Sequence, residues 1–211
     1  MIAKKAYIFD MDGTLIDSVY ALENGVKSFL DEKGIKYPDN IVEIITPLGY
    51  EGAAMYLQSL GLDMPLEEIV GGMKDSMIRE YEESIPAKPH AIELLKRLHS
   101  EGNTLCVLTA SPHFLTDPCL KRLKIDGLFE HVWSTDDFGL KKSDSKIYHE
   151  AAKIIGTEIE NCTFVDDNLI NIRTAKETGI GTVAVYDLTS ADSAEEMKRI
   201  ADRYIYSFEE F

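Results

Sequence analysis

Short uninterrupted apolar runs alternate along most of this chain with longer stretches in which apolar residues recur every three or four positions. The first run, Ala6-Tyr7-Ile8-Phe9, is rich in strand formers and is followed by a Gly-containing turn, so it predicts a short buried strand. Residues 19–33 then carry Val19, Leu22, Val26, Phe29 and Leu30 at helical spacing, with Asp17 or Ser18 as cap and Gly34 and Pro38 as stop. The same period covers about 50–60 through Ala54, Met55, Leu57 and Leu60, closing at Gly61. Pro65 opens a third helix with Leu66, Ile69, Val70, Met73 and Met77 on one stripe, an ordinary core face. Residues 17–85 therefore read as an inserted helical module. Ser84-Ile85-Pro86-Ala87-Lys88-Pro89 is its return linker, stiffened by two prolines.

From residue 89 the pattern is strict alternation of helix and strand. Ala91, Ile92, Leu95 and Leu98 mark a helix ending near Gly102, before a strand at 104–109. A helix over 113–123 follows, broken or restarted at Asp117-Pro118, and then a strand at 131–134 and a charged loop at 136–146. A helix at 144–155, a strand at 162–165, a helix at 169–178, a strand at 182–186, a helix near 192–202 and a short strand at 204–206 complete the chain. Such alternation implies βαβ units with right-handed crossovers: an α/β fold with a mostly parallel sheet flanked by helices.

The composition narrows the class of protein. With 211 residues, 45% of them hydrophobic, the chain suits a core domain with one elaboration. No apolar run approaches the ~20 residues of a membrane helix, and the first strand begins too early to leave room for a signal peptide, so a cytoplasmic protein is expected. Cys106, Cys119 and Cys162 form no C-x-x-C pair, which points away from disulfides and zinc. The formal net charge of −15 repels nucleic acid and anionic lipid. An anionic substrate would have to be bound by local cations and backbone N–H groups against that field.

Polar residues gather where the strands end. Strand 6–9 runs into Asp10-Met11-Asp12-Gly13-Thr14, strand 104–109 into Thr109-Ala110-Ser111, and strand 162–165 into Asp166-Asp167-Asn168. The loop Gly139-Leu140-Lys141-Lys142-Ser143-Asp144 adds cations at the foot of a helix. Each has a plain alternative: Asp-x-Asp-Gly is a common turn, Thr109 an ordinary strand end, the lysines a solvated loop, and Asp166-Asp167 a helix cap. Parallel strands put their carboxyl ends on one edge of the sheet, however, where open α/β sheets bind ligands. Four such coincidences on one edge favour a site, and carboxylates brought together there call for a divalent metal between them.

The segments DMDGTLIDS, VLTAS, KKSDSKIYHEAAKIIG and FVDDNLINIRTAKETG resemble, in order, the four motifs of the haloacid dehalogenase superfamily. The resemblance spans essentially the whole chain. It implies a Rossmann-like core at 1–16 and 86–211, a helical cap at 17–85, a Mg²⁺ ion, and phosphoryl transfer through an aspartyl-phosphate. Carried over by position, it implies Asp10 as nucleophile and Asp12 as general acid/base. Thr109, Ala110, Ser111 and Lys142 become the phosphate-binding group, and Asp10, Asp12, Asp166 and Asp167 the metal-binding acids. Two departures stand out. Ser143 replaces the usual Pro after the motif lysine, leaving Lys141 and Lys142 both open, and Asn171 stands where many relatives have a second acid.

Within the superfamily, dehalogenases lack an acid two residues after the nucleophile, so Asp12 favours a phosphatase. Phosphonate-cleaving relatives need a cap lysine, and none lies between Lys36 and Lys74. Sugar-phosphate mutases, the second reading, carry a His where Leu22 stands and an Arg in the cap loop, which is absent from Thr46-Pro47-Leu48-Gly49-Tyr50-Glu51-Gly52. A third, non-catalytic reading is a phospho-receiver or regulatory binding module, in which the acid pair and the phospho-acceptor lie on different strands and a helical insertion is lacking. The expectation is a Mg²⁺-dependent phosphatase, a monomer or weak dimer. It would act on a small phosphorylated metabolite beneath a lid whose 46–52 loop sets specificity. His113 is open to two readings, facing the entrance or simply starting an exposed helix.

Overall fold

The computed structural model describes residues 5–211. Residues 1–4 of the expected core and the Leu22 side chain of the expected helical stripe lie outside the described residues. In chain order, β1 (Ala6–Phe9) is followed by α1 (Ala21–Glu32), α2 (Ile41–Ile45), α3 (Gly49–Ser59) and α4 (Leu66–Arg79), the last continuing as a π-turn at Glu80–Ser84. The chain then alternates through α5 (Ala91–Ser100), β2 (Thr104–Thr109), α6 (His113–Arg122), β3 (His131–Ser134), α7 (Thr135–Phe138), α8 (Lys146–Ile155), β4 (Cys162–Asp166), α9 (Leu169–Glu177), β5 (Gly181–Val185), α10 (Ala194–Ile200) and β6 (Arg203–Ile205). Tyr20–Ile85 forms one compact unit and the rest of the described chain another. No helix among the described residues is long and apolar enough to cross a membrane.

The helical unit has its own core. Val26, Phe29 and Leu30 of α1 pack with Ile41 and Ile45 of α2, Ala53, Ala54 and Leu57 of α3, and Ile69 and Met73 of α4. α1 and α4 approach closely because the contact is made through small residues: a Cβ at Gly72 would lie 2.2 Å from Phe29 Cε2, and one at Gly25 would lie 3.2 Å from Met77 N. Five-residue α2 is too short to show a helical period, which is why the pattern of the chain does not reveal it.

In the other unit six strands pair in parallel in the order β3-β2-β1-β4-β5-β6. Side chains alternate across the sheet. Ile8, Cys106, Leu108, Phe164 and Ala184 meet Ile147, Tyr148 and Ala151 of α8, Ile172 and Ala175 of α9, and Met197 of α10. Their neighbours Phe9, Val107 and Val165 are buried on the opposite face. The segments that leave and re-enter this unit are stitched together, Asp17 N–H donating to Pro86 O at 3.0 Å and Lys88 N–H to Leu15 O at 2.9 Å.

Two local expectations are corrected. α6 runs unbroken through Pro118, because burial of Leu115, Thr116, Cys119 and Leu120 along it outweighs one missing donor. The charged stretch after β3 begins with a short helix, α7, opened by a capping box between Ser134 and Asp137 and ended at Gly139. The helix expected near 192–202 is found as α10, with a 3₁₀ segment at Leu188–Ser193 leading into it.

Candidate active site

β1 lies between β2 and β4, so the residues leaving its carboxyl end are flanked by Thr109 on one side and Asp166 on the other. The strand order reverses here, and connections on either side run to opposite faces, opening a crevice at the sheet edge. Asp10 is held in it by its own N–H, which donates to Val165 O at 2.8 Å, and only 5% of the residue is exposed. One oxygen from each of Asp10, Asp166 and Asp167 lies within 4.8 Å of the others. Lys142 enters the same cluster, its Nζ 2.7 Å from Asp10 Oδ1 and 2.9 Å from Asp166 Oδ2. Beyond that ion pair, Asp10 Oδ1 accepts no hydrogen bond among the described residues. Lys141, its neighbour in sequence, is exposed.

Three carboxylates and one ammonium leave the cluster with two negative charges if all are ionised. Burial, reinforced by Asp166, Asp167 and Asp12 and opposed by Lys142, holds the Asp10 carboxyl well above the usual carboxylate range. Asp167 is pushed up to about 7 by burial and by Asp166, against the Thr14 hydroxyl that donates to it at 3.0 Å. Burial disfavours the charge on Lys142, but Asp10 and Asp166 more than reverse this and keep the ammonium above its ordinary value. An all-carboxylate donor set with that residual charge fits a hard divalent cation.

Asp12 is turned elsewhere. Its Oδ2 accepts the Ser111 hydroxyl at 2.7 Å and lies 3.5 Å from Thr109 Oγ1, which in turn accepts the Ser111 N–H at 3.1 Å. Of the four acids expected at the metal, the structure thus brings three together by their oxygens and joins the fourth to the loop after β2. Ala110 lies exposed in that loop.

Supporting residues hold these groups in place, and among them only Tyr148 stands outside the strand-end residues and motif departures of the sequence. The Tyr148 hydroxyl donates to Lys142 O at 2.7 Å and lies 3.2 Å from Asn171 O, so its single proton is centred on the Lys142 backbone beside the start of α9. Its signal was a tyrosine on the buried stripe of α8, since a buried phenol needs a partner. Asn171 donates to both Asp166 oxygens at 3.1–3.2 Å, and Asn168 N–H to Asp166 Oδ1 at 2.7 Å. Gly13, at φ 72°, lets the Asp167 carboxylate approach the backbone, for a Cβ there would meet Asp167 Oδ2 at 2.7 Å. Gly13→Ala should therefore cost about 1–3 kcal/mol of stability and lower turnover, as read from a thermal melt and a rate assay. A silent substitution would show that this approach is not needed.

A sequence model of haloacid dehalogenase-like hydrolases matches residues 7–185, reaching from β1 to the end of β5 and including every residue of this cluster. The chain belongs to that family. As a haloacid dehalogenase-like hydrolase it is similar to the phosphoglycolate phosphatase of Aquifex aeolicus (strain VF5), with 29% identity over 183 residues, 84% of this chain and 83% of that one. In structure it is similar to a Thermotoga maritima protein assigned as a beta-phosphoglucomutase, with a TM-score of 0.81 and 21% identity over 95% of this chain and 94% of the other. It is also similar to CbbY from Rhodobacter sphaeroides, solved with phosphate, with a TM-score of 0.70 and 18% identity over 97% and 95%. At these identities the two structures speak for the hydrolase's fold alone.

Proposed function

We propose that this hydrolase is a phosphatase that cleaves a small phosphorylated metabolite through an aspartyl-phosphate on Asp10, with Mg²⁺ as its metal. The observation that carries the reading is the placement of Asp12, hydrogen-bonded to Ser111 two residues beyond a buried Asp10. A phosphomonoester needs an acid for its leaving oxygen, and a dehalogenation does not. Asp10 Oδ attacks phosphorus as the P–O bond to the alcohol breaks, and Asp12 protonates the departing oxygen. Asp12 then takes a proton from the water that attacks the phosphoryl group, releasing phosphate and restoring Asp10. Lys142, the Thr109 hydroxyl and the N–H groups of Ala110 and Ser111 bind the phosphoryl oxygens. Asp10, Asp166 and Asp167 would hold the cation, which supplies charge neutralisation for those oxygens when bound. The named activity of the Aquifex relative supports a phosphatase. Leu22 and the lack of an arginine at 46–52 weigh against a mutase.

The helical unit is assigned as the cap that sets selectivity. It contains a partly open apolar pocket of about 160 Å³ lined by Val26, Ile45, Thr46, Tyr50, Ala53 and Met73, so the 46–52 segment borders a pocket of the cap itself. Phosphate release from p-nitrophenyl phosphate and from a panel of phosphorylated metabolites, phosphoglycolate among them, tests both parts. Turnover should require Mg²⁺, and full activity after exhaustive chelation would refute the metal. Replacing Tyr50 and Glu51 by Ala should shift relative kcat/KM among metabolites about tenfold while changing p-nitrophenyl phosphate hydrolysis less. An unchanged ranking would remove the cap from specificity.

A further inference from the structure

His113 opens α6 directly after the 109–112 loop, and its ring is held from both sides. Nδ1 lies 3.1 Å from Asp117 Oδ1, one turn along the same helix, and Nε2 lies 2.9 Å from Asp137 Oδ2 in α7. Asp137 is itself anchored, because the same oxygen accepts the Ser134 N–H at 3.0 Å at the end of β3. An ionised carboxylate can only accept hydrogen bonds. Both contacts are therefore satisfied only when both ring nitrogens carry a proton, which is the imidazolium; a neutral ring supplies one donor. A cation at a helix N-terminus is disfavoured by the peptide dipoles, so the two carboxylates are what make this position tolerable for one. Pro112, the N-cap of α6, offers no side-chain bond of its own.

We propose that His113 is a positioning residue: as an imidazolium bridging Asp117 and Asp137, it straps the 109–112 loop to the end of β3 and couples phosphate binding to the charge on its ring. The inference rests on the assignment of Thr109, Ala110 and Ser111 to phosphate. The charged groups facing the ring are Asp117, from its own helix, and Asp137, from α7; the Thr116 hydroxyl shares Asp117 at 3.3 Å. Asp137 and then Asp117 hold the imidazole above its ordinary value, and His113 in turn holds Asp137 below its own. The strap is thus complete above the lowered Asp137 value and is lost as pH rises through the raised His113 value. His113, Asp117 and Asp137 are all between 41% and 47% exposed, so the coupling is modest.

Calorimetric binding of inorganic phosphate to the Mg²⁺-supplemented protein tests the strap, with wild type and His113→Gln compared at each pH so that titration of phosphate itself cancels. At about pH 6 the variant should bind phosphate about five-fold more weakly, and at about pH 9 the two should be equal. Asp137→Asn should reproduce the loss at about pH 6, and KM for p-nitrophenyl phosphate should follow the same pattern with kcat nearly unchanged. A loss of equal size at both pH values, or one confined to kcat, overturns the proposal. Absence of phosphate binding in every form overturns the strap and the phosphatase reading together. A pH-dependent difference in binding without hydrolysis upholds the strap and removes the phosphatase alone.

Discussion

Asp10→Asn should abolish phosphate release, lowering kcat by roughly ten-thousand-fold or more, while the fold survives. The amide is close in shape to the carboxylate but cannot attack phosphorus. Its effect on stability should also be informative. Asp10 is buried beside Asp166 and Asp167, and burial with their repulsion holds its carboxyl well above the usual range. Removing that charge relieves the cluster, and Lys142 keeps its contact with Asp166 at 2.9 Å. In metal-free buffer the thermal midpoint of Asp10→Asn should therefore equal or exceed that of wild type, even as turnover disappears. Phosphate release by this variant at a rate near wild type would rule out Asp10 as the nucleophile.

Lys142→Ala should lose both phosphate binding and stability, and Lys141→Ala should lose neither. Lys142 is buried between Asp10 and Asp166, so truncating it leaves three neighbouring carboxylates uncompensated. Breaking a buried pair in this way costs about 3–5 kcal/mol. The loss should depend on pH with a definite sign. Asp167 is raised to about 7 from an ordinary value near 4, so between those limits the folded protein binds the extra proton and its stability falls as pH rises. Asp10 is raised as well, and without the opposing ammonium it follows that trend more strongly. The gap in thermal midpoint between wild type and Lys142→Ala, measured in chelator, should be small at about pH 4 and large at about pH 8, and a divalent cation should narrow it. A gap independent of pH, or an equal loss in Lys141→Ala, would show that Lys142 does not neutralise this cluster.

The elements most legible in the sequence were those whose own residues decide them. The apolar runs of β1, β2 and β4 and the stripes of α1, α4 and α8 carry their period locally, and each is found where the pattern places it. The failures were also local. α2 and α7 are too short for a period to emerge, and the proline in α6 is a stop signal that neighbouring contacts override. In α7 the cue existed, a serine three residues before an acid, but it sat in a run of charges that reads equally well as solvated loop.

By itself the sequence determined the α/β alternation, the parallel connection of the strands, and the placing of Asp10, Asp12, Thr109, Asp166 and Asp167 at strand ends, because hydrophobic period and turn chemistry act between near neighbours in the chain. It also carried the family resemblance, through motifs of the same kind. Only the tertiary structure decided which strand ends touch. Pairing of β1 with both β2 and β4 joins residues 98 and 156 positions apart, and no local signal encodes the strand order. It separated Lys142 from Lys141, identical side chains one residue apart, by burying the first against two carboxylates and leaving the second in solvent. It divided the four acids into a cluster of three and an Asp12 turned toward Ser111. It also set His113 between two aspartates, one a turn along its own helix and one beyond a strand. These outcomes share one cause: burial and charge compensation are properties of the packed chain, and they act between groups that the sequence holds far apart.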